Sequence, residues 1–165
     1  MAEALFINGV YKDTLDEIID LQWIDPTKYG YLQPYSSKRI KLLSETTRPT
    51  SAHPITLYLS LTSSLGLVSY SAEIVEWRDK TSIDLAEREN MTKLLKANQP
   101  SETDGIYHQI NGKDCKNLIA VRGLKTIKPF PVGNLIKTSD GTKLRAKQTS
   151  GGWAVVHELT ESPFP

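Results

Sequence analysis

The sequence predicts a single α+β domain, a curved antiparallel β-barrel-like sheet flanked by short helices. Three observations lead there. Ile55, Leu57, Leu59 and Leu61 alternate with Thr56, Tyr58 and Ser60, the clearest period of two in the chain and the mark of a half-buried strand. Residues 14–22 and 82–97 carry helical spacing instead. Asn111-Gly112 stands between two runs of strand-forming residues, and Asn-Gly supplies the positive φ angles of a tight hairpin turn.

Each element follows from local chemistry. Residues 4–7 are a short apolar run stopped by Asn8-Gly9, a first strand and a turn. Thr14-Leu15-Asp16-Glu17 fits a capping box, and Leu15, Ile18, Ile19 and Gln22 share one face of a helix that ends before Asp25-Pro26. Residues 29–32 are extended. Pro34-Tyr35-Ser36-Ser37 leads into a basic helical turn at 38–43, and the two prolines of 46–54 mark a surface loop. After the strand at 55–61 and a turn at Ser63-Ser64-Leu65-Gly66, residues 67–77 form a second strand, with Val68, Tyr70, Ala72 and Ile74 on one side.

The helix at 82–97 has Ser82 as its cap and Met91, Leu94 and Leu95 as its inward stripe, and Asn98-Gln99-Pro100 ends it. In the hairpin over 105–121 the two-residue turn pairs Ile110 with Lys113, Gln109 with Asp114 and His108 with Cys115. Past Arg122-Gly123 a further strand covers 124–127, ended by Pro129-Phe130-Pro131. One helical turn at 132–136, a turn at Asp140-Gly141 and a last strand at 153–157 complete the domain. It spans 1–158, with 159–165 as a C-terminal tail.

Composition narrows the function. Of 165 residues 39% are hydrophobic and 24% charged, which suits one ordinary core. No apolar run approaches the roughly 20 residues that cross a bilayer, so a soluble cytoplasmic protein without a membrane partner is expected. A lone Cys115 forms no internal disulfide, and His53, His108 and His157 are too scattered to read as a metal site. The phosphate-cradling, dinucleotide and hydrolase-elbow motifs are absent, so no cofactor is expected.

Charge is polarised along the chain. Between Lys113 and Lys147 stand nine basic residues and only Asp114 and Asp140 as acids, although the whole chain is +1. Everything outside that stretch is therefore net acidic, and a polyanion is the natural partner. The stretch closes on Gln148-Thr149-Ser150-Gly151-Gly152-Trp153, donors leading to an aromatic ring. Phosphates attract Lys and Arg, while a base takes a flat ring and hydrogen bonds. The same run is also what a plain solvated face looks like.

In order of elements the chain resembles the EVE-like branch of the PUA-like superfamily, whose relatives include the ASCH and YTH domains. Glu3-Ala4-Leu5-Phe6-Ile7 with the acidic helix after it is similar to that family's opening strand and helix. Gly30-Tyr31-Leu32-Gln33-Pro34-Tyr35-Ser36-Ser37-Lys38 resembles its pocket-lining stretch. Residues 54–60 and 67–75 resemble its central strands, 117–132 its late strand running into a proline, and 142–150 its basic segment. Asn8-Gly9-Val10-Tyr11 replaces the family's Lys-Ser-Glu-Pro-like sequence, leaving Asn8 as the candidate for that polar role. The resemblance implies a module that flips a base, unmodified or methylated or hydroxymethylated, into an aromatic-lined pocket. It also implies DNA or RNA as partner, and a place in modification-dependent restriction or defence beside a separate nuclease subunit or domain.

Unstacking a base costs a few kcal/mol that a pocket must return. The base-binding candidates are Tyr35, Tyr70, Trp77 and Trp153 for stacking, and Asn8, Ser36, Ser37 and Ser60 for hydrogen bonds. Lys38, Arg39, Lys143, Arg145 and Lys147 are the backbone-binding candidates. Tyr70 shares its strand face with Val68 and Ile74, as a core residue would, whereas Trp77 falls on the opposite phase beside Glu76 and Arg78. Trp153 also suits a barrel plug, and the Pro-Tyr-Ser-Ser loop has least reason to be core.

Two alternatives stand beside this reading. The hairpin register sets His108 opposite Cys115, the minimum for a thiolate nucleophile in a small enzyme, although neither a third orienting group nor an oxyanion site can be picked out. The acidic helices and the basic segment would equally suit a protein–protein interaction module.

Overall fold

The computed structural model describes residues 2–25, 30–32, 49–79, 117–146 and 153–159. Glu3–Val10 forms β1, Lys12–Ile24 α1, Gly30–Leu32 β2, Ile55–Leu61 β3, Ser64–Asp79 β4, Asn117–Pro131 β5 and Trp153–His157 β6, with a 3₁₀ turn at Val132–Asn134. The strands make one sheet in the order β2-β5-β4-β3-β1-β6. Every neighbouring pair is antiparallel except β1 and β3. The α+β class holds, but the sheet is mixed rather than purely antiparallel: the chain leaves β1 through α1 and β3 returns in the same direction, as parallel neighbours require. The helices expected at 38–43 and 82–97, and the first arm and turn of the 105–121 hairpin, lie outside the described residues.

Both faces of the sheet are apolar. On one, Leu5, Ile7, Leu57, Leu59, Tyr70, Ile74, Trp77, Ile119 and Val121 pack with Leu15 and Ile18 of α1. On the other, Ala4, Phe6, Tyr58, Val68, Phe130 and Val156 pack under Val132 and Leu135, with Leu144 and Leu159 at the margin. Alternation along β1 and β3 divides the two sets, since successive strand residues point to opposite faces.

Helix α1 begins at Lys12, not at a Thr14 cap. Tyr11 takes the cap position without a side-chain hydrogen bond, and Thr14 is buried within the first turn. The start is set by the sheet: β1 runs on through Val10, so the helix follows at once. Leu15, Ile18 and Leu21 face the core. At Gly30 the helix meets β2 so closely that a Cβ there would lie 2.3 Å from Ile18 Cγ2.

Glycine makes bulges where the sequence reads turns. Asn8 and Gly9, the latter at φ +79°, stand opposite Ser60 alone, so β1 bends without ending. Gly123, at φ +61°, and Leu124 stand opposite Ala72, so β5 is one strand of 15 residues instead of two. Left-handed glycine suits such a bulge, which kinks a strand and increases its twist. Each of these bulges is satisfied by a side chain. The Gly9 N–H donates to Ser60 Oγ at 2.9 Å. The Gln22 amide both accepts from the Leu124 N–H and donates to the Leu124 carbonyl, each at 3.0 Å.

Bulges also reset which side chains share a face. Ser69 is extra between the Leu59/Tyr70 and Ser60/Val68 pairs, so Val68 turns to the far face while Tyr70 stays with the helix. Val75 is extra between Ile74/Val121 and Glu76/Ala120, which brings Trp77 onto the helix face with Tyr70 and Ile74 rather than the opposite phase.

The sheet must curl. Pro131 ends β5, and Lys137, six residues later, bridges to Val156 on the outer side of β6. Six residues reach at most about 20 Å, fewer with a 3₁₀ turn among them. In a flat sheet Lys137 would stand five strand spacings, about 24 Å, from β5. The sheet therefore bends over its far face and wraps the second core cluster. Among the described residues no ladder closes the curl into a barrel.

Two substitutions test this frame. Gly30→Ala should lower stability by about 1–3 kcal/mol through overpacking against Ile18, and an unchanged urea midpoint would mean that α1 can draw away from β2. Gln22→Ala leaves both backbone groups of Leu124 unanswered, so a loss of about 1–3 kcal/mol is expected in the same measurement.

Candidate nucleic-acid interface

Strand register decides which candidate residues meet. Trp153 pairs with Ile7, Ile7 with Leu59, Leu59 with Tyr70 and Tyr70 with Thr126, one continuous row across five strands. The next row holds Ser60 opposite Val68, and Val68 opposite Phe130. Asn8 adjoins it: the Ser60 hydroxyl donates to Asn8 Oδ1 at 3.4 Å. Asn8, Ser60, Tyr70 and Trp153 thus gather at one end of the sheet, where β1 and β3 finish. Trp77 does not join them. It pairs with Ile119, seven residues along β4 from Tyr70, or about 20 Å at the usual rise.

The gathered residues divide between the faces. Ser60 alternates with the helix-side Leu59 and Leu61, so it turns to the far face and takes Asn8 with it; both are buried. Tyr70 is buried on the helix side and its hydroxyl donates to Asp16 Oδ1 at 3.2 Å, the same carboxylate that binds the Lys12 ammonium. Trp153 is half-buried and packs at the margin of the helix-side core. Trp77 is buried there too, with no hydrogen-bond partner for its Nε1 among the described residues. Tyr35, Ser36, Ser37, Lys38, Arg39 and Lys147 lie outside the described residues, as do Cys115 and His108.

Among the described residues charge separates by element as well as by sequence. Helix α1 carries Asp13, Asp16, Glu17 and Asp20 against Lys12. Residues 117–146 carry six cations against Asp140 alone. Two of the six are paired: Arg122 with Glu73 and Lys137 with Asp140, each at 3.5 Å. Lys125, Lys128, Lys143 and Arg145 are exposed, and none of them makes an ion pair among the described residues.

The loop holding Lys143 and Arg145 is braced. Leu144 N–H donates to the Leu135 carbonyl at 2.8 Å, and Lys137 N–H to the Thr142 carbonyl at 2.9 Å. Asp140-Gly141 is the expected turn, with Gly141 at φ +71°. The Thr142 hydroxyl and N–H both donate to Asp140 Oδ1, which holds this carboxyl below its ordinary 3.8. Leu144 points into the far-face core, so Lys143 and Arg145 on either side of it face outward. A Cβ on Gly66 would lie 3.8 Å from Ala146 Cβ, and one on Gly133 3.8 Å from the Leu144 carbonyl. Both contacts bring the loop to the end of the sheet that carries Trp153 and the Asn8–Ser60 pair.

Lys125 and Lys128 were legible only as members of a charged run, and their lack of a carboxylate partner among the described residues is a tertiary fact. Among the described residues no group of three or more His, Cys, Asp or Glu could hold a metal ion, and no helix is long and apolar enough to cross a membrane. No family model, curated protein or solved structure matches this chain.

Tyr70 supplies a pH test. Burial first, then the Asp16 charge and hydrogen bond, raise its phenol above the ordinary 10.0. The fold favours the neutral form, so this contribution is complete below pH 10.0 and is lost as pH rises through the raised value. Tyr70→Phe should cost about 0.5–1.5 kcal/mol at neutral pH, and the gap from wild type should close in alkaline denaturation curves. A gap that persists there would show that the hydroxyl bond is not its source.

Proposed function

We propose that this chain is a nucleic-acid-binding module that holds a DNA or RNA backbone on its exposed cations and seats one extruded base at the end of the sheet near Trp153. The observation that carries this reading is the set Lys125, Lys128, Lys143 and Arg145, exposed and without carboxylate partners among the described residues. Cations left without counter-charges on a braced surface suit phosphates, whose release of bound counterions drives association.

Trp153, entered from two glycines and half-exposed beside this rim, supplies an aromatic surface for a base. Asn8 and Ser60, buried on the other face of the sheet, hydrogen-bond each other in the adjoining row and stiffen the strand ends behind Trp153. The likeness in element order to EVE-like domains supports a methylated or hydroxymethylated base as the preferred occupant, with cleavage left to a separate nuclease in a restriction or defence system.

A salt series decides the electrostatic part. With four phosphate contacts, log affinity against log salt should have a slope of about −3 for a labelled oligonucleotide. Arg145→Ala should weaken all sequences alike and make that slope shallower by about 0.7–0.9. Affinity that ignores salt would remove nucleic acid as the partner.

A further inference from the structure

Tyr11 is 48% exposed although it sits between two buried elements, β1 and α1. Its backbone is held, because its carbonyl accepts the Leu15 N–H at 3.3 Å. The ring stays outside. Val10, its neighbour, accepts the Thr62 N–H at 3.1 Å, which sets Tyr11 beside the tight turn joining β3 to β4. On the other side of that turn Leu67 is 40% exposed and pairs with Pro131, the end of the strand that carries Lys125 and Lys128. The Gly66 approach to Ala146 brings Arg145 to the same rim. Of the four large hydrophobic residues exposed among those described, two therefore lie at the cationic end of the sheet, while Trp23 and Ile24 lie at the far end of α1. Lys12, next to Tyr11, is engaged by Asp16, so the free contribution at this corner is the ring and not the ammonium.

We infer that Tyr11 is a stacking residue for an unpaired nucleotide next to the seated base, and that the interface takes a single-stranded segment in preference to a duplex. This rests on the nucleic-acid reading above. In a duplex the faces of the bases are covered by one another, so a tyrosine at the rim finds none to stack on. An unpaired nucleotide offers its face at no cost of unpairing, while its phosphates reach the cations. The ring and Arg145 lie round the same turn, and Lys128 and Lys125 continue along β5 from the Leu67–Pro131 pair, so a single strand can track from one to the next.

The test uses the full chain and fluorescence anisotropy with a labelled mixed-sequence 12-nucleotide strand, alone and annealed to its complement. The single strand should bind more tightly than the duplex. Tyr11→Ala should lower its affinity about 5- to 100-fold, Tyr11→Phe should keep it, and duplex affinity should change little in either variant. Because the Tyr11 ring is exposed, both variants should keep the wild-type urea midpoint, and Tyr11→Phe controls for any shift. Single-strand affinity untouched by Tyr11→Ala but weakened by Arg145→Ala would overturn the stacking role while leaving the nucleic-acid reading in place. Equal losses on strand and duplex would overturn it as well. If neither oligonucleotide binds, both readings fall together.

Discussion

The shape of this domain depends on hydrogen bonds from side chains to the backbone at its bulges. A bulge frees peptide groups from the ladder, and a buried free group costs about as much as a lost hydrogen bond. Ser60 answers the N–H of Gly9, and Gln22 answers both groups of Leu124. With those groups satisfied, β1 and β5 can kink instead of ending. Kinked strands allow a sheet to curl, and curling lets the six residues after Pro131 reach the outer side of β6. The Gln22 amide also ties α1 to β5, so one side chain sets both the bend of the strand and the seat of the helix.

That curl creates the candidate interface. The segment that crosses the far face carries Lys143 and Arg145 outward because Leu144 between them is drawn into the core. The acids of α1 stand on the opposite face, and neither Lys143 nor Arg145 pairs with a carboxylate among the described residues. Among the described residues α1 is thereby acidic and the 117–146 segment basic, in a chain of net charge +1. The buried Asn8–Ser60 pair lies on the far-face side, while Trp153 packs at the margin of the helix side at the same end of the sheet.

Much of the strand content was legible. The period of two at 55–61 became β3, and residues 153–157 became β6 with the expected bounds. The Val132–Asn134 turn and the Asp140-Gly141 turn also stand where the residues place them. Glycine was where local reading failed. Gly9 and Gly123 both have left-handed φ, and that preference is shared by a turn that ends a strand and a bulge that only bends it. Which one forms depends on a partner strand and on a side chain distant in sequence, Ser60 or Gln22, and no local pattern records that. The same limit misplaced Trp77, whose phase along β4 is shifted by the extra residue at Val75.

By itself the sequence determined the type of most described elements, the polarity of charge and the residue kinds that suit phosphates and bases, because these follow from local preference and composition. Tertiary structure alone decided the parallel pairing of β1 with β3, the assignment of faces along β4, and which cations lack a carboxylate partner among the described residues. It also placed Asn8, Ser60, Tyr70 and Trp153 in neighbouring rows and left Trp77 apart. Each of these is a question of register between strands remote in the chain. A single extra residue inverts the answer, since side chains on a strand repeat every two residues and a shift of one exchanges core for surface.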